Sequence, residues 1–383
     1  MKEGIVLPDY NHCILNTISS ILKYYNVETP HKSLEKLDKI LEKKYKKIVL
    51  MILDGMGEHI LKDMLPNGYF VNNELDCVTS VYPSTTSAAL TTYYSGKSPY
   101  ETGWIGWSQY FKEYGRALDM LPQKESYLGE NLRNARINVF EKIMKYKTIF
   151  EKIEESSPNV KAYEVSPIYA ERRSKRSMVA DNIDEIVESV LELTNNSDEK
   201  FIFTYLDNPD GLMHKYGTNG EETKEFLNEA ETKIRRMCEK LTEDTLVIIS
   251  ADHGHKNIDN FYRIYEYEDI LDCLTMPPTL ESRVLSLWVK ENKKEKFEQL
   301  FNKEFGKDFW LMTKEYFLEK NFLGYGEKHP KIDDFIGNYM ALSTGSSIIR
   351  FEPLLIEEKK LKKSTHCGLT KEEMEVPVIV IKK

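Results

Sequence analysis

Four apolar runs interrupt an otherwise polar chain: KIVLMILDGMG (47–57), LDCVTSVYPST (75–85), KFIFTYLDNPD (200–210) and TLVIISADHGH (245–255). Each is nearly continuous, without the alternation of a half-exposed strand. Such runs fit strands covered on both faces, as in a parallel sheet. Between them lie segments with helical spacing: 33–45, 137–155, 182–196 and 223–241. Strands alternating with helices predict an α/β fold around a mostly parallel central sheet. The stretch 256–345 has a pattern of its own. RVLSLWVK, KEKFEQLFNKEFG and DFWLMTKEYFLEKN read as a strand, a helix, and a strand followed by a helix. This predicts a small inserted α+β cap over 256–345. YMALSTG and PVIVIKK then return to the main sheet, so 1–255 and 346–383 form the core.

At 383 residues the chain can bury one large core. A net charge of −9 argues against a stable nucleic-acid partner. No eighteen-residue apolar run is available to cross a membrane, and the first twenty residues lack the apolar core of a secretion signal. The five cysteines are scattered, without C-x-x-C spacing. These features together predict a cytoplasmic protein with structural thiols.

In a parallel α/β sheet, ligands gather beyond the carboxyl ends of the strands. Asp54-Gly55 ends the first run. The second feeds YPSTTSAALTTYYSGKSP (82–99), dense in hydroxyls. The third ends at Asp210, with His214 one helical turn on, and the fourth at Asp252-His253-Gly254-His255. His366 follows near the C-terminus. Aspartate and neutral imidazole are donors suited to zinc, and also to manganese. One such pair alone reads as a helix cap beside a surface histidine. Repetition at successive strand ends favours a metal centre. The hydroxyl stretch is either a close-packed helix start or the holder of a nucleophile. A helix beginning among Ser84 to Ala88 would aim its free N–H groups at a phosphate, and by this criterion Thr85 serves nearly as well as Thr86.

The ordered set resembles the alkaline phosphatase superfamily, and within it the type I phosphodiesterase/nucleotide pyrophosphatase family. The carrying motifs are LDGMG, a threonine ten residues before the glycine of YYSG, PD-x-x-x-H, ADHG, and a late histidine before VPVIV. The resemblance spans about Lys47 to Lys383. It implies a three-layer α/β/α sandwich and two divalent ions, zinc or else manganese. One ion would be held by Asp210, His214 and His366, the other by Asp54, Asp252, His253 and the nucleophile. Counting back from Gly96 makes that nucleophile Thr86. The implied reaction is hydrolysis of a small phosphoester or nucleotide in two displacements through a phosphothreonine. A monoesterase, a phosphoglycerate-mutase-like transferase and a non-catalytic metal-binding relative are the alternatives. The sulfatase context C/S-x-P/A-x-R is lacking.

The chain departs from the family in places. Ala89 stands where the nucleotide pyrophosphatases carry an asparagine that contacts the phosphoryl oxygen, and Thr102-Gly103 where many relatives have His-Gly. His255 reads as a support behind the ligands. Trp104 and Trp107 either wall a pocket or pack in the core.

Overall fold

A computed structural model describes residues 4–127, 129, 138–170, 173–351 and 361–382. The central sheet has seven strands in the order Glu74–Thr79, Glu375–Lys382, Thr245–Ser250, Lys47–Leu53, Lys200–Leu206, Lys161–Ser166 and Ser177–Val179. Only Glu375–Lys382 runs antiparallel to its neighbours. The three innermost parallel strands, Thr245–Ser250, Lys47–Leu53 and Lys200–Leu206, are buried along their whole length. This is why their sequences are continuously apolar. Helices Ile183–Thr194 and Glu221–Lys240 are amphipathic and bury one stripe each, whereas Ile14–Tyr24 is buried on every side from Ile14 to Leu22.

The second apolar run behaves differently from the others. Its strand ends at Thr79, lies at the sheet edge and is only partly buried, paired solely with the antiparallel Glu375–Lys382. Residues 80–85 are a loop into helix Thr86–Ser95. The pattern over 137–155, whose first residue lies outside the described ones, forms two pieces: a π-helical turn, Phe140–Met144, and helix Ile149–Ser156. Thr148 starts the second piece by accepting from Glu151 N.

A second, antiparallel sheet of seven strands runs Phe309–Thr313, Tyr339–Ser343, Val284–Leu287, Thr279–Leu280, Ser108–Phe111, Arg116–Asp119 and Lys124–Glu125. Two expectations change here. YMALS does not return to the main sheet, because it pairs on both sides within this one. Nor is this sheet built from 256–345 alone, since three of its strands come from 108–125. Helix Lys294–Phe305 packs its Phe297, Phe301 and Phe305 stripe against the sheet in a separate small core. Among the described residues no helix is long and apolar enough to cross a membrane.

Candidate metal centre

The central strand delivers Asp54 to the carboxyl edge of the sheet. Asp54 N–H donates to Leu206 O at 2.9 Å, and Asp54 O accepts from Asp210 N at 2.9 Å. Two neighbouring strand ends are thereby tied together. Gly55 permits the close approach: its φ is +76°, and a Cβ there would lie 3.1 Å from Asp210 Cα. Asp252 Oδ1 accepts from both Gly55 N and His253 N at 3.0 Å. At Gly254 a Cβ would fall 2.0 Å from Glu372 O, so only glycine lets this loop pass. The short strand Ser364–Thr365 pairs with Lys256–Asn257 and brings His366 to the same edge.

Helix Thr86–Ser95 starts at this edge and is buried throughout; small residues on its first turns allow that packing. Its two leading threonines face different partners. Thr85, in extended conformation just before the helix, donates its hydroxyl to Glu281 Oε1 at 2.9 Å. Thr86 turns its hydroxyl to Asp54 Oδ2 at 3.4 Å and lies 3.2 Å from His253 Nε2. The first N–H groups of a helix have no intrahelical acceptor and face outward along the axis.

Two sets of donor atoms lie within 4.8 Å of one another: those of Asp54, Asp252 and His253, and those of Asp210, His253, His255 and His366. The histidines are oriented from behind. Nδ1–H of His214 donates to Ser364 O at 2.8 Å, that of His253 to Gly254 O at 3.1 Å, and that of His366 to Ser84 O at 3.2 Å. With the proton on Nδ1, each Nε2 presents a bare lone pair. Asp54 Oδ1 and Asp252 Oδ2 are buried without a hydrogen-bond partner. Orphaned carboxylate oxygens beside unprotonated imidazole nitrogens are the arrangement that divalent cations satisfy. The residues present fit such ions.

The charges agree. Burial, then the charges of Asp252 and Asp210, pushes Asp54 well above the ordinary carboxyl range. Burial lowers His214 to about 3 and carries His366 well below the usual imidazole value. These imidazoles are neutral near pH 7, as ligands must be.

The structure brings together Asp54, Thr86, Asp210, Asp252, His253 and His366. His214 adjoins them, its Nε2 3.4 Å from Asp210 Oδ2 and 2.9 Å from the Lys362 ammonium, but it belongs to neither 4.8 Å set. His255 is buried in the cluster, 2.5 Å from Asp210 Oδ1. Trp104 is a core residue donating to Met144 O, whereas Trp107 is 38% exposed. His329, the histidine of the 256–345 stretch, lies elsewhere, against Gly103 and Ile143 O. Three contributors carry no sequence signal. Tyr205 donates to Asp54 Oδ2 at 2.5 Å from within an apolar strand. Glu281 and Lys362 sit in segments without a motif.

The family model for type I phosphodiesterase/nucleotide pyrophosphatase matches residues 48–336. Comparison with curated protein sequences found no match. Among solved structures, an inactive variant of murine ectonucleotide pyrophosphatase/phosphodiesterase 5 in complex with AMP superposes with a TM-score of 0.64 at 14% identity, covering 88% of this chain and 87% of that one. The human ectonucleotide pyrophosphatase/phosphodiesterase 5 gives 0.61 at 14% identity, with 87% of each chain covered. Phosphonoacetate hydrolase from Sinorhizobium meliloti 1021, in complex with phosphonoformate, gives 0.60 at 15% identity, covering 87% of this chain and 89% of that one. The sheet order, the site at its carboxyl edge and the family match lead to one conclusion: the chain belongs to the type I phosphodiesterase/nucleotide pyrophosphatase family, hydrolases of phosphoric esters within the alkaline phosphatase superfamily.

Proposed function

We propose that this protein hydrolyses a small phosphodiester or nucleotide, with Thr86 as the nucleophile and two divalent ions, zinc in the first instance and manganese otherwise. The observation that carries the reading is the Thr86 hydroxyl, set at a buried helix N-terminus and facing Asp54 and His253. Asp54, Asp252 and His253, with Thr86 itself, would hold one ion; Asp210, His214 and His366 would hold the other. When bound, such ions supply positive charge that favours the alkoxide and offsets the charge of the phosphoryl oxygens. Asp54 Oδ2 holds the hydroxyl proton in the resting geometry, and Tyr205 and Gly55 N fix the two carboxylates around it.

In the first displacement, Thr86 Oγ1 forms a bond to phosphorus as the bond to the leaving alkoxide breaks. In the second, water displaces Thr86 and frees the phosphoryl product. The leading N–H groups of the helix point toward where the phosphoryl oxygens would sit. Two features of similar proteins support this: the murine structure holds AMP, and its inactive variant replaces one threonine by alanine.

Residues 256–345, completed by the strands of 108–125, form the cap over a core made of the rest of 1–255 and of 346–383, and set substrate choice. Five free cysteines support a reducing, cytoplasmic setting.

The test is an assay with bis-p-nitrophenyl phosphate and p-nitrophenyl phosphate in zinc or manganese. Faster turnover of the diester is expected. Turnover of neither, in protein shown to be folded, overturns the proposal.

A further inference from the structure

His255 is two residues beyond His253, and in an extended segment residues two apart share a face. Its side chain accordingly enters the same cluster, with its ring 5.8 Å from that of His253, 5.2 Å from that of His366 and 4.8 Å from that of His214. What it does there follows from counting protons. The Ser364 hydroxyl has one hydrogen, and it donates that hydrogen to Met213 O at 2.6 Å. Ser364 Oγ can therefore only accept from its other neighbour, His255 Nδ1, at 3.0 Å. Nδ1 therefore carries a proton, and in the neutral imidazole Nε2 is then a bare lone pair.

That lone pair lies 2.5 Å from Asp210 Oδ1, itself an acceptor. Two acceptors so close repel unless a cation is shared between them. Asp210 Oδ1 is also 3.6 Å from His366 Nε2. Three acceptors thus converge on one point. The lone pair of His214, by contrast, already meets the Lys362 ammonium at 2.9 Å.

We propose that His255 Nε2 is a protein ligand of the ion held by Asp210 and His366. This rests on the metal-centre reading above and adds a donor that the PD-x-x-x-H and ADHG motifs do not contain. Three imidazoles and a carboxylate around one ion would require more than four-coordination to leave room for substrate, as zinc and manganese sites allow.

Cobalt(II) loaded into the metal-free full-length protein, with 15N-labelled histidine, tests this. Each ligating imidazole contributes an exchangeable Nδ1–H resonance shifted far outside the ordinary range. Two equivalents of cobalt are expected to bind. His255→Asn places an amide near Ser364 but removes Nε2. It should lose one shifted resonance and bind one equivalent more weakly than the parent. An unchanged resonance count, whatever the affinity, overturns the inference while leaving the metal centre standing. His214→Asn gives an independent reading should the first variant misfold. Three shifted resonances there, from His253, His255 and His366, support the inference, and two contradict it. Failure of the parent protein to take up cobalt overturns the metal centre and the inference together.

Discussion

At the scale of single residues, the site separates two neighbours that look equivalent in sequence. Thr85 and Thr86 carry the same hydroxyl at the start of the same helix. One turns to Glu281 and the other to the carboxylate–imidazole cluster. The sequence makes the grouping of Asp54, Asp210, Asp252 and His253 legible because each closes an apolar run. It does not reveal Glu281, an acid just after strand Thr279–Leu280 that accepts from Thr85 Oγ1 and Trp107 N at 2.9 Å each. Burial raises Glu281 from its ordinary value of 4.5 to about 7. The folded protein therefore keeps this proton at a pH where the unfolded chain has released it. Stability must fall as pH rises from about 4.5 to about 7. Glu281→Gln keeps an acceptor and removes the titration, so its urea midpoint should be flatter across that window. The expected difference near pH 7 is of order 1–3 kcal/mol. Parallel profiles for the two proteins would contradict this assignment of Glu281.

At the scale of elements, apolar pattern identifies strands but not the sheet they join. Tyr339–Ser343 reads like a core strand and is fully buried, yet its partners are Val284–Leu287 and Phe309–Thr313. Ser108–Phe111 and Lys161–Ser166 are too polar to stand out; in the latter, the buried Glu164 is satisfied by Tyr94 Oη and by Ser174 N. One link between the two sheets is equally invisible, because its residues are ninety positions apart. Arg283, just before strand Val284–Leu287 of the second sheet, forms a bidentate pair with Glu373, at 2.6 and 2.7 Å, both fully buried. Glu373 also accepts from Gly368 N and Thr370 Oγ1, which fixes the loop carrying His366. Glu373→Ala leaves an unpaired buried guanidinium and should cost about 3–5 kcal/mol in chemical denaturation. It should also weaken metal uptake through His366. A cost below about 1 kcal/mol would mean that the pair does not tie the two sheets together.

At the scale of the whole molecule, the parallel strands run the same way, so their carboxyl ends bring together residues far apart in sequence. The resulting cluster of buried carboxylates carries orphaned oxygens that cations would satisfy. Ions that bind the folded state alone stabilise it by mass action, roughly 2.7 kcal/mol per site at one hundred times the dissociation constant. Exhaustive chelation should therefore abolish turnover and lower the thermal midpoint by several degrees, and zinc or manganese should restore both. A midpoint unchanged by chelation would count against ions as part of the folded protein.

The central claim is that Thr86 attacks phosphorus, and mapping the covalent intermediate tests it most directly. The enzyme would be quenched in acid during turnover of a diester, digested, and its peptides fragmented by mass spectrometry. The account predicts a phosphoryl adduct on Thr86, absent from Thr86→Ala protein that still binds metal. An adduct on Thr85, or full activity in Thr86→Ala, would contradict it.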